Sequence, residues 1–346
     1  MRPSARRARA TGAARGAGAA SGMMARWMGI GALVLASLAR AEETLIAIGD
    51  VHGDVEAFRR ALELAGATEG GSWWRRARGG GADVARLVQT GDVVDRGDRS
   101  IEVVDALERL REEAAMVGDE VVTLMGNHEL MTLQGDLRFV SPLELARVGR
   151  ETLESSGTTD GERGATVGGR AYVHAGRLSW IKTFARGEVR GDILRSRSVA
   201  AIRGSGRCAS AFVHAGLVPG HLFGTDSVDA LNERAKVLFD ADVVGANDAL
   251  LGNDGPMWTR RISMGSEADA CAAVEETLQR LGVRRMVVGH TPTQSGVIET
   301  RCGGLVHMID VGMSSAYGGK PSAWTCTESE GPMAISSSGE RTPLEP

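Results

Sequence analysis

Five short motifs of Gly, Asp, His and Asn, each placed directly after an apolar run, constrain this chain more than any other feature. They are GDVHG at 49–53, GDVVDRG at 91–97, GNHE at 126–129, VHAG at 213–216 and GHT at 289–291. The runs at 44–48, 85–89, 121–125, 210–213 and 285–288 are too short for helices and read as buried strands, with another at 305–309. Between the first strands the period changes. Val55, Phe58, Leu62 and Ala65 share one helical face, with Asp54 as N-cap and Gly66 as terminator. Further helices are expected at 100–116, capped by Ser100, and at 141–154. Strand and helix alternate early and strands dominate later, so the reading is α/β or α+β around a central sheet system. Ligands of such folds collect at the carboxyl ends of strands. Five strand ends could therefore aim Asp, His and Asn side chains at one point.

The residue types at those ends suit a pair of metal ions. Carboxylates can bridge two cations, neutral imidazoles favour Mn, Fe or Zn, and an amide oxygen can complete a shell. None of the five motifs contains cysteine, which excludes a soft thiolate site there. Two ions about 3.5–4 Å apart can activate a water and polarise a phosphoryl oxygen. One such motif alone means little, since a G-D pair is ordinarily a turn. Five in order are hard to assemble without a shared site.

Charge excludes some partners. The net charge is −4, yet the first 41 residues hold seven arginines and no acid, which leaves −11 for the rest. An acidic body does not suit nucleic acid. The basic stretch runs into an apolar segment and then Ala39-Arg40-Ala41, an A-x-A pattern, so residues 1–41 read as a targeting segment. It would serve export or secretory entry, or else an organelle. An anchor is disfavoured because the apolar run falls short of the ~20 residues a span needs, and no stable span is expected in the mature chain. Residues 42–327 form the expected catalytic domain and 328–346 a polar, frayed tail. Cys208, Cys271, Cys302 and Cys326 show no C-x-x-C spacing; in an exported chain Cys302 could pair with Cys326.

GDVHGD, GDVVDRGD, GNHE, VHAGL and GHT, in this order, resemble the metal-dependent phosphoprotein phosphatase superfamily, the calcineurin-like metallophosphoesterases. The stretches GNHELMTLQGDLRFV (126–140), GPMWTR (255–260), VVGHTPTQSG (287–296) and HMIDVGMSSAYGG (307–319) look most like its Shewanella-like branch. The resemblance covers about residues 44–320. The chain departs from the pattern in lacking the SAPNY-type segment and in having HAG where HGG is usual. The resemblance implies a β-sandwich flanked by helices, with a dinuclear metal site at the strand ends. It implies that Asp50 and His52 hold the first metal, that Asp92 bridges, and that Asn127, His214 and His290 hold the second. His128 then matches a general acid, Asp95 the carboxylate that orients it, and Arg96 a phosphate clamp. Arg260, in a W-x-R pattern, is a candidate second clamp. His307 reads as a core or supporting residue, and nothing singles out His221. The implied cofactors are two metal ions, Mn or else Fe or Zn. The implied reaction is phosphomonoester hydrolysis by direct attack of a metal-bound hydroxide. A phosphoprotein is the implied substrate. Small phosphoesters or dinucleoside polyphosphates are the alternative, because the same metal motifs serve both. A non-catalytic phosphate-binding module is disfavoured, since no expected ligand is missing.

VHAG occurs twice, at 173–176 and 213–216. Each copy looks like the second strand of a hairpin: 165–167, a Gly-Gly turn and 171–173 in one case, and 199–202, a Gly-Ser-Gly turn and 211–213 in the other. The context separates them. FARGEVRGDILRSRSVAAI (184–202) before the second copy, and Leu217 and Pro219 after it, fit the family pattern. This assigns the metal to His214 and leaves His174 as a structural or substrate-side residue in a variable segment over the site.

Overall fold

In the computed structural model, residues 42–76, 84–155, 168–245 and 248–345 are described. The expected targeting segment at 1–41 and the hairpin arm at 165–167 lie outside them. The chain opens with β1 (Thr44–Ile48) and α1 (Val55–Leu64), then the short pair β2 (Thr68–Glu69) and β3 (Trp73–Trp74). Next come β4 (Ala85–Gln89), α2 (Ser100–Ala115), β5 (Glu120–Thr123) and α3 (Asn127–Leu133). A helical stretch follows: α4 (Pro142–Ser155), α5 (Gly168–Thr183) and α6 (Val189–Arg195). Then come β6 (Ala200–Arg203), β7 (Ser210–Val213), α7 (Val228–Phe239), α8 (Arg261–Met264) and α9 (Glu267–Leu281). The last six strands are β8 (Arg285–Val288), β9 (Glu299–Arg301), β10 (Val306–Met308), β11 (Ala323–Thr327), β12 (Gly331–Ile335) and β13 (Arg341–Pro343), with β9 and β13 at sheet edges.

Two mixed sheets carry the fold. One has the order β13-β12-β11-β1-β4-β5 and the other β6-β7-β8-β10-β9. β1, β4 and β5 run parallel to one another, and so do β7, β8 and β10. Parallel neighbours bring their carboxyl ends to the same edge, which is how motifs far apart in sequence meet. The sheets meet through one apolar core, in which Trp324 of β11 packs edge-on to Phe212 of β7 with ring centres 5.7 Å apart. His307 belongs to this core. Its Nδ1 accepts from Trp324 Nε1 at 2.8 Å, and its Nε2–H donates to the Glu345 carbonyl.

Four expectations need correction. Residues 171–173 are not a strand but part of α5, where Gly176 and Trp180 are buried at helical spacing and Phe184 just beyond follows them. The tail is not frayed: β12 pairs with β11 and β13 with β12, extending the first sheet. Cys302 does not pair with Cys326. The disulfides are Cys208–Cys326, which ties the segment before β7 to β11, and Cys271–Cys302, which ties α9 to the end of β9. Ser100 is the first residue of α2 rather than its cap, and its hydroxyl accepts from the Asp95 amide at 3.1 Å. Asp54 caps α1 as expected, accepting from the Ala57 amide at 2.9 Å.

Candidate metal centre

The turns after β1, β4, β5, β7 and β8 bring Asp50, His52, Asp92, Asn127, His128, His214 and His290 together, all buried. Asp92 lies at the middle. Its Oδ2 is 3.8 Å from His52 Nε2, 3.9 Å from His128 Nε2 and 3.3 Å from His214 Nε2. Asp92 belongs to two triplets with metal-ligand spacing, one with His52 and His128 and one with His214 and His290. Asn127 Oδ1 sits 3.0 Å from His214 Nε2 and 2.8 Å from His290 Nδ1. Asp50 closes the other side, with Oδ2 3.9 Å from His52 Nε2.

The backbone is bent to achieve this. Among the described residues, five of the eight non-glycine residues with positive φ are His52, Asp92, Asp95, Arg96 and His290. Such conformations cost free energy at each position and persist only where the surroundings impose them. Gly126 is required by close approach, since a Cβ there would stand 2.2 Å from Asp92 Oδ1.

Hydrogen bonds sort the histidines into two kinds. A carbonyl can only accept, so it fixes which ring nitrogen carries the proton. His52 Nδ1–H donates to the Val94 carbonyl at 3.0 Å, His214 Nδ1–H to the Thr90 carbonyl at 2.9 Å, and His290 Nε2–H to the Trp258 carbonyl at 3.1 Å. In each case the other nitrogen faces the centre, the arrangement that metal-ligating histidines use, although at His214 burial is outweighed by Asp92, which pushes that ring above the usual imidazole range. Burial pushes His52 down to about 4 and His290 down to about 3, so both stay neutral. His128 differs. Its Nδ1 meets the Asp95 carboxylate at 2.6 Å. Burial opposes charging the His128 ring, but Asp92 and Asp95 outweigh it and hold the group above the usual imidazole range.

The carboxylates fit bound cations. Burial raises Asp50 well above the usual carboxylate range, helped by neighbouring Asp310 and Asp92. Burial also works against the Asp92 charge, but His214, His128 and His52 reverse that and hold it low. No Lys or Arg pairs with Asp50, Asp92 or Asp310 among the described residues. Buried charge of one sign needs a partner, and a donor set of oxygens and imidazoles suits hard or borderline ions. A third cluster, Glu267 with Cys271 and Cys302, is of another kind, since its two sulfurs are joined in a disulfide.

The calcineurin-like phosphoesterase family model matches residues 44–294, the span that holds Asp50, His52, Asp92, Asn127, His128, His214 and His290. The chain belongs to the calcineurin-like phosphoesterases. An uncharacterised protein of Schizosaccharomyces pombe is 31% identical over 79% of this phosphoesterase and 74% of its own length. Shewanella-like protein phosphatase 2 of Arabidopsis thaliana is also 31% identical, over 79% of this chain and 72% of its own. The fold is that of the cold-active protein-tyrosine phosphatase of a psychrophilic Shewanella species, at a TM-score of 0.67 and 21% identity, covering 88% of this chain and 82% of the other. Recognition from the motifs is thereby supported down to the Shewanella-like relatives, and the chain is a metal-dependent phosphoester hydrolase by family.

The other residues singled out in the sequence fall in different places. Arg96 is exposed, with its guanidinium carbon 3.9 Å from the Phe139 ring centre and 5.9 Å from that of Tyr317. Among the described residues it enters no ion pair, which leaves its donors for an anion. Arg260 is also exposed and donates to Thr291 Oγ1 at 2.8 Å, beside His290. His174 is exposed on α5. His221 turns inward on a short 3-10 turn, donating to the Asp254 carbonyl at 2.8 Å.

Sequence reasoning passed over several supporting residues inside stretches it had singled out. Glu129, the last residue of GNHE, accepts from the amides of Asp92, Val93, Val94 and Gly126 at 2.8–3.1 Å. It thus holds the Asp92 turn against the Asn127 turn. Buried Arg197 stands 3.6 Å from it and balances its charge. Tyr317, in the stretch 307–319, brings its ring to 5.3 Å from that of His52. Buried Asp310, in the same stretch, adjoins Asp50. A role for these four needs partners that only folding supplies.

Proposed function

We propose that this chain is a metal-dependent phosphatase of phosphoproteins. The observation that carries the reading is the Asp92-centred cluster, where two donor sets share one carboxylate. In it Asp50, His52 and Asp92 would hold one ion, and Asp92, Asn127, His214 and His290 the other. Two ions bound there would supply Lewis-acid polarisation of the phosphoryl oxygens and activation of the attacking water. Arg96 and Arg260 receive the phosphate, Arg96 with the planar donor fork that suits its oxygens. His128, held above the usual imidazole range, carries the proton that the leaving oxygen takes, and Asp95 orients its ring. Mn is the ion we expect, with Fe or Zn accommodated by the same donors.

A protein substrate is supported by the names of the relatives. Passage through an oxidising compartment, by export or into an organelle, is supported by the two disulfides together with the targeting segment proposed at 1–41. Among the described residues no helix is long and apolar enough to cross a membrane. The test is a panel of phosphoserine, phosphothreonine and phosphotyrosine peptides with Mn²⁺, with Asp92→Asn as reference. Activity on at least one peptide class, lost in Asp92→Asn, is the expected result. Inactivity on all three beside rapid cleavage of dinucleoside polyphosphates would redirect the reading to small substrates.

A further inference from the structure

Six strands run parallel within their sheets toward the metal centre, three per sheet: β1, β4 and β5, and β7, β8 and β10. Five of them end in the motifs that supply the residues described above. The sixth, β10, ends at Met308, two residues before Asp310. We infer that Asp310 is a further carboxylate of the centre and holds the ion at the Asp50–His52 position. This rests on the metallophosphatase reading above and adds a residue to it.

Four observations carry the inference. Asp310 is 1% exposed, so its carboxylate has left water. Its Oδ1 accepts from the Gly312 amide at 2.9 Å, whereas its Oδ2 takes no hydrogen bond from an amide, hydroxyl or cationic side chain among the described residues. The side chain meets that of Asp50, and the backbones are pressed together, since a Cβ on Gly49 would lie 3.1 Å from Asp310 Cα. Its backbone is fixed as well: the Asp310 carbonyl accepts from the Thr293 amide at 2.9 Å, and Ile309 N–H donates to the Val288 carbonyl at 2.8 Å. Two buried carboxylates in contact, neither with an Arg or Lys partner among the described residues, must share either a proton or a cation, and a cation lying against both would satisfy them together. The donor sets point the same way. The second position has four protein groups (Asp92, Asn127, His214 and His290) and the first only three (Asp50, His52 and Asp92). Asp310 makes the two positions equal.

The test uses the full chain stripped with a chelator, then dialysed against increasing Mn²⁺. Bound metal is measured by mass spectrometry and melting temperature with and without Mn²⁺. Asp310→Asn keeps an acceptor for the Gly312 amide and removes the charge, and exposed Asp242→Asn is the control. Wild type and control should bind two ions. Asp310→Asn should bind one as before and the other at least about 10-fold more weakly. Without metal it should melt at or above the metal-free wild type, because one buried carboxylate fewer has to be kept neutral or paired, and its gain in Tm on adding Mn²⁺ should be smaller. Two ions at wild-type affinity would overturn the inference. So would an equal loss of Tm with and without metal, which marks a structural brace. Asp310→Ser is read by the same criteria if the Asn variant does not fold. A wild type that takes up no Mn²⁺ would instead bring down the metallophosphatase reading itself.

Discussion

The tetrapeptide Val-His-Ala-Gly is present twice, and the two copies take different structures. At 213–216 it begins at the last residue of β7 and turns away from the sheet; at 173–176 it lies within α5. His214 is fully buried, with one nitrogen on the Thr90 carbonyl and the other facing Asn127 and Asp92, while His174 is exposed. Even the glycines are needed for unrelated reasons. A Cβ on Gly176 would come within 1.9 Å of the Leu145 carbonyl oxygen of α4, whereas Gly216 has φ +153° and lies over the Ile262 side chain. Four residues do not carry a conformation. The first copy sits where Gly176, Trp180 and Phe184 recur as buried positions at helical spacing, with Gly176 pressed against α4. The second sits in a fully buried run, SAFV, bounded by turns and paired on both sides, by β6 and β8. Chemistry follows from which of these contexts reaches the carboxyl edge of the sheet.

Substitutions can break this contrast. The largest effect is expected for His214→Ala, which removes a proposed ligand whose other ring nitrogen is already tied down. Phosphatase activity should fall on the order of 1,000-fold, corresponding to several kcal/mol of lost stabilisation, with one metal ion lost from the purified protein. If this variant kept wild-type turnover, the assignment of the working copy would be wrong. Next is Asp95→Asn, which asks whether an imidazole facing a carboxylate works differently from those facing carbonyls. kcat should drop by about 100-fold, the scale of a general acid. The sign of the pH effect is fixed. Asp95 favours the imidazolium of His128, so removing its charge lowers that pKa, and the proton is lost at lower pH. The alkaline limb of the kcat/KM profile should move to lower pH, and an unmoved limb would argue for a merely structural contact. Third is Gly176→Val, which forces a side chain against α4 and should cost about 1–3 kcal/mol of stability in urea unfolding. Activity per folded molecule should stay near wild type, and a loss comparable to that of His214→Ala would show that the first copy serves the site. The smallest effect belongs to His174→Ala: stability within about 0.5 kcal/mol and most activity retained.

The motif residues were legible because each function is local. A GDxH or GNHE turn needs its glycine, its carboxylate and its imidazole within a few positions, so the letters survive being read in a line. Asp50, His52, Asp92, Asp95, Asn127, His128, His214 and His290 all came from such turns, and the strands before them were short apolar runs with clear ends. Glu129 and Asp310 stood in the same stretches, yet nothing local said that the first would collect amides from two separate turns or that the second would meet Asp50. The disulfides were illegible for the same reason. Cys326 is 24 positions from Cys302 and 118 from Cys208, yet β11 lies beside the segment before β7.

The sequence by itself determined a phosphoesterase with a metal centre built at strand ends, and which residue types stand there. This holds because turn chemistry and ligand chemistry are encoded within a few consecutive residues. Only the tertiary structure decided that 171–173 is helix, that the polar tail adds two strands, and which cysteines meet. Those outcomes depend on packing between segments distant along the chain, where burial and parallel pairing, rather than local preference, choose the conformation.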